Sequence, residues 1–235
     1  MSANSIETLK NYFLIPYGGH VFIFTNKITL KDIQQNTFTE ILSHNNAPNQ
    51  KSIPMAIFNA VSAFANGLNG KKVLDIGGNT GYFTFLATEA GADVTMIERL
   101  ERQANVAYAM ADVRGLKVKI FNGLVQDYLD SSSETFDYAF MLNMFDQMLR
   151  TDEAVAWKVL KQVSERCKML FLMMGATEQI PTAKGLVTST PSNVAPAISR
   201  FNKPDYEVIL EKTVYTDYKI LTNNVYENRE LQAYW

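Results

Sequence analysis

Between residues 71 and 174, short apolar β-rich runs alternate with segments of helical periodicity, and the connections between them are short. Few architectures accept that alternation. Strands that return through a helix pair in parallel and need helices on both faces of the sheet. The runs are Lys72–Ile76, Asp93–Glu98, Val118–Asn122, Asp137–Leu142 and Lys168–Met174. The helical segments are Ser52–Leu68, ended by Asn69-Gly70, then Phe83–Glu89 closed by Gly91, Arg99–Arg114 closed by Gly115, and Asp152–Arg166. Two later β-rich runs, Tyr206–Val214 and Tyr218–Tyr226, read as a terminal hairpin turning at Tyr215-Thr216-Asp217. Such a hairpin adds antiparallel pairing to an otherwise parallel sheet. Ahead of the alternating region, Tyr12–Tyr17 and His20–Thr25 flank Gly18-Gly19 as an N-terminal hairpin, followed by an Asn-rich connector. The expectation is therefore an extension over residues 1–50 and one α/β domain over residues 51–235.

Composition excludes several functions. Cys167 is the only cysteine and His20 and His44 the only histidines, so neither a disulfide nor a cysteine-based metal site is expected, and no metal ligands are assigned. The net charge of −2 argues against a nucleic-acid partner held by broad phosphate neutralisation. No apolar run is long enough to span a bilayer, and the first residues lack the basic and apolar regions of a secretory leader. A cytoplasmic location is the default expectation.

The chemistry concentrates in Val73-Leu-Asp-Ile-Gly-Gly-Asn-Thr-Gly-Tyr-Phe-Thr84. A buried strand ends in a glycine-rich turn that opens a helix. Gly77 and Gly81 let the backbone turn sharply and approach a ligand with no Cβ in the way. Asp75 lies at the strand end, two residues before the first glycine. A carboxylate there repels a pyrophosphate but suits a cationic amino-acid group. The spacing Asp-x-Gly-x-x-x-Gly also lacks the Gly-x-Gly-x-x-Gly pattern of dinucleotide loops. Glu98 closes the second strand, 23 residues beyond Asp75, where a carboxylate can accept from both hydroxyls of a ribose.

These residues resemble the first and second motifs of class I S-adenosylmethionine-dependent methyltransferases. The resemblance runs over roughly Ser52 to Met174 and tightens at four places. It implies a Rossmann-like class I methyltransferase fold, with a mostly parallel seven-stranded sheet and a C-terminal antiparallel hairpin. It implies S-adenosyl-L-methionine as cofactor and S-adenosyl-L-homocysteine as product, held by Asp75, Gly77, Gly78, Asn79, Thr80, Gly81, Glu98 and Arg99. The third motif matches Asn122-Gly-Leu-Val-Gln-Asp127, with Leu124 and Val125 against the adenine and Gln126 or Asp127 near its amino group. The fourth matches Phe136 to Asn143 and places Leu142 and Asn143 beside the methionine part.

The acceptor side is less constrained. Asn143-Met-Phe-Asp146 is not the Asn/Asp-Pro-Pro-aromatic sequence of amino-methylating relatives. Leu142 to Met148 resembles the Ser-Val-Phe-His-His stretch of bacterial surface-polysaccharide (O-antigen-type) methyltransferases, with Asp146 and Gln147 in place of two histidines. Asn143 and Asp146 are thus the catalytic candidates, and Asp146 could serve as a base for a hydroxyl or orient it. Gln147 and Arg200 are the acceptor-binding candidates. Arg200 lies in a segment, Gly175 to Asn202, that also carries Thr177, Glu178, Thr188, Ser189 and Thr190. Tyr17 and His20 could cover the cofactor. The expected activity is O-methylation of a small-molecule, saccharide or phosphosaccharide acceptor. A non-catalytic methyltransferase-like subunit and a nicotinamide-dependent oxidoreductase remain as alternatives.

Overall fold

The computed structural model describes residues 4, 5, 8, 53–175, 205–226 and 229–235. The expected N-terminal hairpin, the boundary near residue 50 and the segment 176–202 lie outside them. The chain divides into two compact units, Met1–Tyr128 and Leu129–Trp235.

In the first unit, α1 (Ile53–Phe64) precedes β1 (Lys72–Ile76), α2 (Tyr82–Glu89), β2 (Asp93–Glu98), α3 (Glu101–Arg114) and β3 (Lys119–Asn122). The three strands run in the order β3-β2-β1 and pair in parallel. Val73, Leu74, Val94 and Met96 have no exposed surface. Strands buried on both faces read as unbroken apolar runs, which is why β1 and β2 match the expected limits. α1 stops before the expected Leu68. Asn66 and Gly67 adopt left-handed backbone, and Gly67 donates to the Ser62 carbonyl at 2.9 Å, closing the last turn four residues early. Leu68 is still buried, but from the connecting loop. α3 ends as expected on Gly115, at φ 64°.

The second unit contains β4 (Phe136–Leu142), α5 (Phe145–Thr151), α6 (Glu153–Arg166), β5 (Cys167–Gly175), α7 (Asp205–Lys212), β6 (Tyr218–Tyr226) and β7 (Arg229–Tyr234). Between the two sets, α4 spans Val125–Ser131. Asp152 caps α6, its side chain accepting from the Val155 amide at 3.1 Å. β4 pairs with β5 in parallel, and β5, β7 and β6 follow antiparallel. The seven strands form the mostly parallel, mixed sheet of a Rossmann-like class I methyltransferase fold.

One expectation is corrected here. Tyr206–Val214 is not a strand; its core is α7. The β-branched and aromatic residues suggested a strand, but the charges obey the helical period. Glu207 and Glu211 are four residues apart and both exposed, while the adjacent Val208 and Ile209 are both buried. Alternation of period two cannot bury two neighbours on one face. The terminal hairpin is consequently β6–β7 rather than a pair beginning at Tyr206.

Candidate cofactor site

The first unit builds a cradle where β1 and β2 end. Gly77 turns out of β1 with φ 74°, and the amides of Gly77 and Gly78 both donate to the Ile97 carbonyl, at 2.9 and 3.1 Å. Asn79 follows in left-handed backbone at φ 54° and donates its amide to Glu98 Oε2 at 2.9 Å. These three donors of the loop bind β2 and its terminal residue. A pyrophosphate-binding loop aims such amides at the ligand instead.

Each glycine has a separate reason. A Cβ on Gly78 would sit 2.6 Å from Met96 Cγ and 3.1 Å from Asp75 Oδ2. Gly81 caps α2 at φ 94°, and a Cβ there would meet the Phe85 ring at 2.4 Å. Gly81 is therefore required by the packing of its own helix as well as by the turn. Thr80 between them is buried.

Two carboxylates define the electrostatics. Asp75 is buried and accepts from the Thr84 hydroxyl at 2.6 Å. Burial pushes its carboxyl up to about 6; the Thr84 hydrogen bonds oppose the rise and the Glu98 charge adds to it. Glu98 is also buried. Its Oε1 accepts from the Leu100 amide at 2.7 Å while Oε2 holds Asn79. Each carboxylate oxygen retains a second lone pair, so acceptor capacity for ribose hydroxyls is left. Asn122 Nδ2 and the Gly123 amide bind the Glu98 carbonyl at 2.8 and 3.0 Å, tying the end of β3 to that of β2. Beyond them, Val125 is buried at the start of α4 and Leu124 is 45% exposed; Leu100 is 46% exposed. Gln126 is half-buried, and Asp127 and Arg99 are exposed.

The second unit presents a turn after β4. Asn143 takes left-handed backbone at φ 64°, and its amide donates to the Met173 carbonyl at 3.1 Å. Its side-chain Oδ1 is buried with no hydrogen-bond partner among the described residues. Gln147 Nε2 reaches back to the Asn143 carbonyl at 2.8 Å, so this acceptor-binding candidate braces the turn. Asp146 is buried in the first turn of α5 and pairs with Arg150 at 3.7 Å. Arg200, Tyr17 and His20 lie outside the described residues. Cys167 is buried, and burial pushes its thiol up to about 12, which removes it as a nucleophile. Among the described residues no His, Cys, Asp and Glu cluster is placed to hold a metal ion, and no helix is long and apolar enough to cross a membrane.

Residues 73–168 match the family model described as a methyltransferase domain. A ubiquinone biosynthesis O-methyltransferase from Actinobacillus pleuropneumoniae serotype 7 (strain AP76) is 32% identical over 88 residues, 36% of this chain and 38% of that protein. One from Aliivibrio fischeri (strain MJ11) is 30% identical over 90 residues, 38% of each chain. The match thus spans well under half the length of these relatives. Among solved structures, the bifunctional kinase-methyltransferase WbdD superposes with a TM-score of 0.57 at 16% identity, covering 80% of this chain and 39% of that one. Magnesium protoporphyrin IX methyltransferase (ChlM) from Synechocystis PCC 6803, solved with bound SAM, gives 0.52 at 13% identity, covering 93% and 99%. Residues 73–168 thus match a methyltransferase domain, and the chain has the Rossmann-like class I methyltransferase fold. The residues present fit S-adenosylmethionine as cofactor. Two buried carboxylates and a loop whose amides bind its own strand suit a cationic amino-acid nucleoside and not a pyrophosphate.

Proposed function

We propose that the chain is an enzyme that transfers a methyl group from S-adenosylmethionine to a hydroxyl of a small-molecule or saccharide-type acceptor, within a methyltransferase domain over residues 51–235. The observation that carries the cofactor half is the pair of buried carboxylates, Asp75 and Glu98, at the ends of neighbouring strands beside a glycine turn. On this reading Glu98 accepts from the ribose hydroxyls and Asp75 from the ammonium of the amino-acid end. When bound, the cofactor supplies an activated methyl group on its sulfonium, so the protein's task is alignment and exclusion of water.

Transfer to oxygen is supported by the curated relatives, which are O-methyltransferases. It is also supported by the absence of the Asn/Asp-Pro-Pro-aromatic sequence after β4. Asp146 and Asn143 are the residues assigned to the acceptor. A buried carboxylate orients a hydroxyl or takes its proton. An acidic phenol or a phosphate-bearing acceptor would need less help from a base than a plain sugar hydroxyl.

Calorimetric titration with S-adenosylmethionine and, separately, NADH tests the cofactor. Saturable binding of the first and none of the second is expected; no binding of S-adenosylmethionine at millimolar concentration overturns the reading. Transfer of labelled methyl to a panel of phenols, sugars and amines then tests the acceptor, and label appearing only on nitrogen would refute O-methylation.

A further inference from the structure

Thr84 sits in the first turn of α2, a place where a threonine ordinarily bonds back to its own helix terminus. Here its hydroxyl leaves the helix and donates to Asp75 Oδ2 on β1 at 2.6 Å, in a fully buried contact. The same oxygen faces the Cα of Gly78, where a Cβ would come within 3.1 Å. Asp75 Oδ2 is thereby enclosed by the Thr84 hydroxyl and one glycine, while the Thr84 backbone also hydrogen-bonds the carboxylate. Without the hydroxyl, a buried carboxylate beside Glu98 would turn or take up a proton more readily.

We propose that Thr84 is a positioning residue for cofactor recognition, fixing Asp75 by one oxygen so that the other, Oδ1, accepts from the ammonium of the amino-acid end. The inference rests on the S-adenosylmethionine reading above and adds a residue that does not itself touch the ligand. Its consequence is selective. Thr84 governs the amino-acid half of the ligand and leaves the nucleoside half alone, because Glu98 is held by the Asn79 and Leu100 amides and not by Thr84.

The test uses two probes: S-adenosylhomocysteine, and 5′-methylthioadenosine, a nucleoside thioether lacking the amino-acid end. Binding of both to the wild-type protein is measured by calorimetry; failure of S-adenosylhomocysteine to bind there overturns the cofactor reading and this proposal with it. If wild type binds, Thr84→Val should weaken S-adenosylhomocysteine roughly tenfold, the scale of one hydrogen bond to a charged group. It should leave 5′-methylthioadenosine unchanged. Thr84→Ser, which keeps the hydroxyl, should restore wild-type affinity and covers the case in which the valine variant does not fold. In an Asp75→Asn background, Thr84→Val should cost nothing further. Equal weakening of both probes, a serine variant as poor as valine, or additive losses in the double variant would each overturn the proposal.

Discussion

The Asn79 amide donates to Glu98 Oε2 at 2.9 Å, so the residue assigned to the ribose also holds the glycine turn in place. With Leu100 on its other oxygen, Glu98 satisfies two backbone donors from two different loops. Glu98→Ala should therefore show two separable effects. Affinity for S-adenosylmethionine should fall at least tenfold, and the unliganded protein should lose about 1–3 kcal/mol through the orphaned amides. Calorimetry reads the first and denaturant unfolding the second. Unchanged affinity with lowered stability would confine Glu98 to a structural role.

Binding should depend on pH through Asp75. Its carboxyl titrates at about 6 in the free protein, and an ammonium partner binds the ionised form. Affinity should accordingly fall about tenfold between pH 7 and pH 5. Titrations across that interval check it, and a profile identical in Asp75→Asn would assign the dependence elsewhere.

The same group predicts an opposite trend in stability. A folded carboxyl at about 6, raised from 3.8, favours the fold most below pH 3.8, and that advantage is lost as pH rises through 6. The difference amounts to about 3 kcal/mol. Asp75→Asn should therefore be more stable than wild type at pH 8 and gain little at pH 4, while binding the cofactor poorly. Thermal unfolding of both proteins at the two pH values decides it.

Gly78 and Gly81 should fail differently. Gly81→Ala forces a Cβ into left-handed backbone and into the Phe85 ring, so a loss of about 1–3 kcal/mol in stability is expected. Gly78→Ala puts a Cβ 2.6 Å from Cγ of the fully buried Met96 and 3.1 Å from Asp75 Oδ2. With φ not in the left-handed region, it should cost stability through Met96 packing alone and lower cofactor affinity through Asp75.

Asp146→Asn addresses the acceptor. Loss of the carboxylate should lower kcat by about a hundredfold at neutral pH with cofactor affinity preserved. The Arg150 partner at 3.7 Å makes Arg150→Met a useful control, because it leaves the carboxylate in place. An active Asp146→Asn variant would show that the acceptor ionises without help from this residue.

The sequence displayed the cofactor strands well because burial on both faces leaves an uninterrupted apolar signature, and β1 and β2 end where Lys72–Ile76 and Asp93–Glu98 place them. Tyr206–Val214 misled because residue preference and charge spacing disagree there, and packing of Val208 and Ile209 follows the spacing. Thr84 carried no signal of its own. A threonine near a helix start is commonplace, and only the fold brings it to a carboxylate nine residues upstream. Burial of Asp146 was equally hidden, since a charged residue in a first turn is ordinarily solvated.

Gly77, Gly78 and Asn79 donate their amides to β2 and Glu98. A turn already held by its own sheet does not have to be ordered by what it binds, so less conformational entropy opposes association. The bound and empty turns should then differ little, and departure of the demethylated product should break contacts to the ligand without melting the turn.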